Sequence, residues 1–352
     1  MQPAPRPATL LSIQVLRAVA CLMVLLHHAR NPRPGMFDPM VGWNFTTGVD
    51  IFFVISGFIM YAAARHEAPA EFMRRRIVRI APLYWIATLT WVAWLAFRDL
   101  PMPGAQHLWL SLGLVPHASP GHPNTVWPVL VPGWTLTFEM GFYVLFAVGL
   151  ALRRVVAVTT VAIVSLVAAG FLLGPSDPVL RAFTGPILLA FLGGVLIAWA
   201  HGRYVRLFAR AWPLAVVGAA ALLVHATPWI DLKKLWVVAA SAAVVTGCLA
   251  FETALRERRW RVMETLGDAS YAIYLFHTLV LAVVMWLGRK LPLEGWPQFL
   301  VLMALGMSLS VLSGVALHRW LERPMLKVLL RLRLPGLPLP GRPRAEAPEA
   351  VG

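Results

Sequence analysis

The chain has 352 residues, of which 59% are hydrophobic and only 13% charged, about half the charged share of an ordinary soluble domain. That deficit argues against a soluble globular fold and for the bilayer as solvent. Its 31 Lys and Arg against 16 Asp and Glu give a net charge of +15, which in a soluble protein would point to nucleic acid; here the basic residues fall between apolar runs and read as membrane topology signals.

A helix needs about 20 mostly apolar residues to cross the hydrocarbon core. Ten stretches qualify: 10–29, 44–64, 78–97, 134–152, 155–173, 179–200, 211–226, 233–251, 269–288 and 298–321. The run 211–226 is the weakest of them. The first stretch is expected to be a retained span, because Arg17 interrupts it and the polar turn "RNPRPG" that follows offers no clear cleavage site. "LWLSLGLVPHA", from Leu108, is too short and broken to span, so a re-entrant or interfacial position is expected for it. Cys21 and Cys248 both fall inside apolar runs and are expected to be packing residues. The whole predicts an all-α polytopic membrane domain over 1–330, with about ten transmembrane helices, followed by a disordered Pro-rich tail over 331–352. If both termini are cytoplasmic, inner segments hold 22 basic residues and outer ones 8. The positive-inside rule therefore predicts cytoplasmic termini.

Topology leaves several charges unexplained. Arg17 lies well inside the first span, where a charge costs at least about 2.5 kcal/mol. It is either a snorkelling arginine or one with a task. His28 follows eleven residues later, on nearly the same helix face and about 16 Å further along the axis. Asp50, near the outer start of the second span, is placed either to orient the His28 imidazole or to cap its own helix. Ser56 and Gly57 suggest close helix packing. At the inner end of the third span, Arg76 and Arg79 are spaced i, i+3; they are topology anchors or a phosphate clamp, whereas Arg74 and Arg75 read as anchors. Glu139, five residues into the fourth span, is expected near the outer surface among Trp, Phe, Met and Tyr. There it requires a partner or an acid–base role. Asp268 and Ser270 are expected to cap the ninth span, His277 to be structural, and Glu322 to pair with a neighbouring arginine.

Together the pieces "IQVLRAVACLMVLLHH", "GVDIFFVISGFIM", "RRRIVRIAPLYW", "GWTLTFEMGFY" and "GDASYAIYLFH" resemble the acyltransferase-3 family of bacterial membrane enzymes, which move acyl groups from acyl-CoA to extracytoplasmic sugars. The resemblance implies a catalytic role for His28 within a basic-x10-His pattern that begins at Arg17, leaving His27 outside it. It links the Arg76/Arg79 pattern to acyl-CoA handling. In the expected mechanism His28 is the base, Asp50 or Glu139 orients it or relays its proton, and Arg17, Arg76 and Arg79 line the donor path. "VPGWTLTFEM" and "IQVLRA" are most similar to the exopolysaccharide O-acetyltransferase branch, which implies acetyl-CoA as donor substrate and an exopolysaccharide or lipid-linked oligosaccharide as acceptor. No metal and no nucleic acid are implied, and the location implied is the bacterial inner membrane, among its lipids. The chain ends soon after the tenth span, so an esterase-like extracytoplasmic domain, fused to some members, is not expected. A multi-span transporter of a glycan precursor or small solute is the alternative, since charges at several depths of a bundle also describe a solute path.

Overall fold

The computed structural model describes residues 10–30, 36–258 and 260–332; nearly all of the expected Pro-rich tail lies outside them. The described residues form helices α1 (Leu11–Ala29), α2 (Thr47–Ala64), α3 (Pro69–Phe97), α4 (Ala105–Leu112), α5 (Trp134–Ala151), α6 (Val155–Leu173), α7 (Pro178–Phe183), α8 (Leu188–His201), α9 (Val205–Phe208), α10 (Trp212–Ala226), α11 (Lys234–Cys248), α12 (Glu252–Arg258), α13 (Arg261–Gly288), α14 (Gly295–Leu317) and α15 (Arg323–Arg331). Among the described residues no strand forms, and nine helical segments are long and apolar enough to cross a membrane. The tenth expected span is α10, with 15 residues and therefore about 22 Å long.

Helix starts follow local chemistry. α3 begins at Pro69, before the expected boundary at 78, because proline suits the first helical turn and Glu71 bonds Arg74 and Arg75 at 2.7 Å each, at i+3 and i+4. α13 begins at Arg261, so Asp268 and Ser270 lie inside the helix and do not cap it.

Small residues set the tightest crossing, that of α2 with α8. A Cβ built on Gly57 would lie 2.0 Å from the Phe191 carbonyl oxygen, and one on Gly194 1.9 Å from that of Val54. Only glycine lets the two backbones approach this closely. Phe53 and Phe191 stack across the same crossing with centroids 4.5 Å apart.

Two further features fix depth. Along α1 and α13 the pairs Gln14–Asp268, Arg17–Ser270 and His28–His277 ascend together, so these helices run in the same direction. The segment before α5 dips into the bundle: Tyr274, midway along α13, donates its hydroxyl to the Pro132 carbonyl at 3.1 Å, and Tyr84 of α3 donates to the Ser111 carbonyl at 3.1 Å. α5 consequently starts well inside the bundle, and everything on it is deeper than its place in the chain suggests.

Candidate active site

Arg17 is held where α1 meets α13. Its guanidinium donates to the Gln14 side-chain oxygen at 3.1 Å and to the Ser270 hydroxyl at 3.0 Å, and the carboxylates of Asp268 and Glu322 lie within electrostatic range. Gln14 is fixed in turn by donating to Asp268 at 2.9 Å. The intramembrane charge is thus embedded in a polar network and does not snorkel. Glu322, 1% exposed, is bonded by His318 at 2.8 Å across one turn, where the expectation was an arginine. A π-helical turn over His318–Glu322 places both groups against the bundle.

A cavity of about 550 Å³ opens beside this network and is lined by Arg17, Arg76, Arg79 and Glu139, with Asp268 and Arg323. The four arginines of the α3 start divide cleanly. Arg74 and Arg75 are ion-paired to Glu71, and Arg75 also to Glu67, while Arg76 and Arg79 face the cavity. The Arg76 guanidinium lies 5.3 Å from the Phe72 ring centroid, and its Nε is buried without a hydrogen-bond partner. A cluster of guanidiniums with spare donors beside a cavity suits an anionic, phosphate-bearing ligand.

Glu139 lies deeper than expected, in the cavity wall and not near the outer surface, because α5 begins inside the bundle. Its Oε1 accepts from the Ser56 hydroxyl at 2.6 Å and the Tyr143 phenol at 2.5 Å. It does not contact His28. Of the two donors, Ser56 carries no sequence signal beyond close packing, whereas Tyr143 follows Glu139 at i+4, the spacing that brings helix side chains together.

His28 lies outside that cavity, beyond Tyr274. Its Nδ1 is 2.9 Å from the Val24 carbonyl and 3.4 Å from Nε2 of His277. His277 Nδ1 is in turn 2.6 Å from the Tyr274 carbonyl. Carbonyls only accept, so in the neutral pair both Nδ1 atoms carry the proton. His28 Nε2 is then left with a free lone pair, the arrangement a general base requires. His277, expected to be a structural residue, is the group facing this imidazole.

Asp50 is not brought to His28. Its carboxylate is 1% exposed and is ion-paired to Lys234 Nζ at 2.6 Å, joining α2 to the start of α11. The competing cation comes from a distant segment of the chain, and sequence distance conceals it. His27 is likewise committed elsewhere: its Nδ1 accepts from the Phe45 backbone N–H and the Arg30 guanidinium, each at 3.3 Å. Among the described residues no group of three or more His, Cys, Asp or Glu is placed to hold a metal ion.

Residues 10–315 match the family model for an acyltransferase domain of the acyltransferase-3 type. The chain is 36% identical over 300 residues to the exopolysaccharide production protein ExoZ of Rhizobium meliloti (strain 1021), covering 81% of this chain and 92% of that protein. It is 30% identical over 168 residues to the acyltransferase MdmB of Streptomyces mycarofaciens, covering 44% of this chain and 42% of that one. No solved structure gives a significant match. With its Arg17-to-His28 face, its arginine-lined cavity and a family match over most of its length, the chain belongs to the acyltransferase-3 family of membrane acyltransferases.

Proposed function

We propose that this protein is a multi-pass bacterial inner-membrane O-acetyltransferase that moves an acetyl group from cytoplasmic acetyl-CoA to a hydroxyl of an extracytoplasmic or lipid-linked glycan. The observation that carries the reading is the cavity lined by Arg17, Arg76 and Arg79, with Arg76 Nε unpartnered, and the His28–His277 pair further along the same α1–α13 seam. The arginines hold the donor's phosphates, and its acyl thioester supplies the activated carbonyl. His28 Nε2 takes the proton from the sugar hydroxyl as that oxygen attacks the carbonyl carbon. The carbon–sulfur bond then breaks, and the imidazolium returns the proton to the leaving thiolate. Glu139, held by Ser56 and Tyr143, balances the cationic wall beside Arg76, and Asp50 acts through Lys234 by fixing α2 against α11. The carbohydrate acceptor is supported by the name of the relative that acts in exopolysaccharide production.

The orientation rests on charge and on direction. Ten crossings make α1 the first span and α13 the ninth, which therefore run parallel, as their register has them. If α10 failed to cross, α13 would be the eighth and antiparallel. The start of α10 packs against Gly247, near the end of α11, while Asn44, ahead of α2, donates to the Ala226 carbonyl at its other end. With ten spans the termini share a side, and the 22-to-8 excess of basic residues assigns that side to the cytoplasm.

The test is mass spectrometry of surface glycan from cells with and without this chain. Acetyl esters that appear only when it is expressed are the expected result. Indistinguishable glycans would reject the acceptor class.

A further inference from the structure

A second cavity, of about 1230 Å³, shares no wall residue with the first. It lies where the end of α2, the start of α3, the α5–α6 turn and the end of α8 meet, and Arg65, Arg153, Arg154 and Arg203 line it. Among the described residues none of these four arginines is ion-paired to a carboxylate. Glu67, the one acid in the described wall, is bound to Arg75 at 3.1 Å. Arg203 instead lies 4.3 Å from the Trp199 ring centroid, and Arg65 lies 5.6 Å from that of Tyr61. Arg153 adopts φ 55° in the tight turn between α5 and α6, a left-handed conformation uncommon for a non-glycine residue. Four exposed arginines without a carboxylate partner around one concavity give it a positive potential that attracts an anion.

The rest of the wall selects the kind of anion. Leu150, Val155, Val156 and Ala198 contribute apolar surface to the same cavity, so charge and grease meet at one end of the bundle, at helix ends. A soluble phosphate uses only the guanidiniums. An amphiphile uses both. We propose that this cavity binds the phosphate headgroup of an anionic phospholipid, with the four arginines on its oxygens and the apolar wall against its glycerol and acyl ends. Guanidiniums match phosphate oxygens in bidentate fashion, and basic pockets between transmembrane helices are the usual sites for such headgroups. The inference concerns a site apart from acyl transfer and stands whatever the acceptor is.

The experiment uses the purified full chain in detergent and native mass spectrometry, with phosphatidylglycerol and phosphatidylcholine titrated separately. Both carry a phosphodiester, but only the first is net anionic. The wild type is expected to retain phosphatidylglycerol at least about tenfold more tightly than phosphatidylcholine. The triple variant Arg153→Gln/Arg154→Gln/Arg203→Gln is expected to lose that preference, and the corresponding triple lysine variant to keep most of it. Arg206→Gln/Arg210→Gln, which removes two cations from outside the cavity wall, is expected to leave it intact. Equal retention of the two lipids by the wild type overturns the proposal without reference to any variant, as does an unchanged preference in the triple glutamine variant. Displacement of phosphatidylglycerol by adenosine 3′,5′-bisphosphate would also overturn it, by identifying a soluble phosphate as the occupant.

Discussion

Replacing Gly57 by alanine tests whether the α2–α8 crossing sets the geometry of the cavity wall. The new Cβ would fall 2.0 Å from the Phe191 carbonyl oxygen, 2.9 Å from its carbon and 3.1 Å from the Val195 nitrogen. All three are backbone atoms of α8, so no side chain can turn aside. The helices must separate by about 1 Å, which forfeits a quarter to a half of each dispersion contact at the crossing, and overpacking of this kind costs about 1–3 kcal/mol. Ser56 adjoins Gly57 and donates to Glu139 at 2.6 Å; a shift of that size stretches the bond beyond the usual O–H···O limit. Loss of a hydrogen bond to a charged group costs about 1.5–3 kcal/mol of stability, so the unfolding midpoint should fall, and acyl transfer should fall with it as the Glu139 wall of the cavity loses its shape. The assay pairs thermal unfolding of the detergent-purified protein with acetyl transfer in proteoliposomes. Gly104→Ala is the control, since a Cβ there meets nothing within 4 Å. An unfolding midpoint and activity unchanged from wild type in Gly57→Ala would refute the packing argument.

Three further outcomes follow from the site. Arg76→Gln/Arg79→Gln should raise the KM for acetyl-CoA by at least about tenfold at normal membrane abundance, and an unchanged KM would reduce both arginines to topology anchors. His277→Phe removes the group facing His28 Nδ1 while Val24 still fixes the tautomer, so the pH profile of kcat should shift with KM for the donor unchanged; an unmoved profile would separate His277 from the base. A reporter fused to the C-terminus should report the cytoplasm, and an extracytoplasmic signal would overturn the orientation together with the inside-donor scheme.

What the sequence disclosed was whatever depends on local periodicity. Most of the apolar runs became helices close to their expected bounds, and the eleven-residue interval from Arg17 to His28 does put both side chains toward α13, through Ser270 and His277. What it concealed depends on contacts between distant segments. Glu139 is expected near the outer surface because the burial of Leu130, Pro132 and Gly133 inside the bundle leaves no mark in hydropathy. Asp50 is expected either to orient His28 or to cap its own helix, because Lys234, 184 positions away in the chain, has no visible reason to lie beside it. The partition of Arg74, Arg75, Arg76 and Arg79 into two paired with Glu71 and two facing a cavity is half legible: the i, i+3 and i, i+4 spacing of Arg74 and Arg75 to Glu71 is visible in the sequence, and the cavity shared by Arg76 and Arg79 is not.

In the proposed mechanism His28, with its Nδ1 proton engaged and its Nε2 lone pair free, is the base that activates the acceptor hydroxyl. The most direct measurement is the ester content of purified surface polysaccharide from strains expressing His28→Ala or His27→Ala at matched membrane levels. Loss of a general base costs about 10²–10⁴ in rate, so His28→Ala should leave esters near background, whereas His27→Ala, which removes hydrogen bonds from Phe45 and Arg30 and an edge contact with the His28 ring but leaves the Val24 and His277 partners of His28 in place, should keep most of them. Wild-type ester content in His28→Ala would contradict the account.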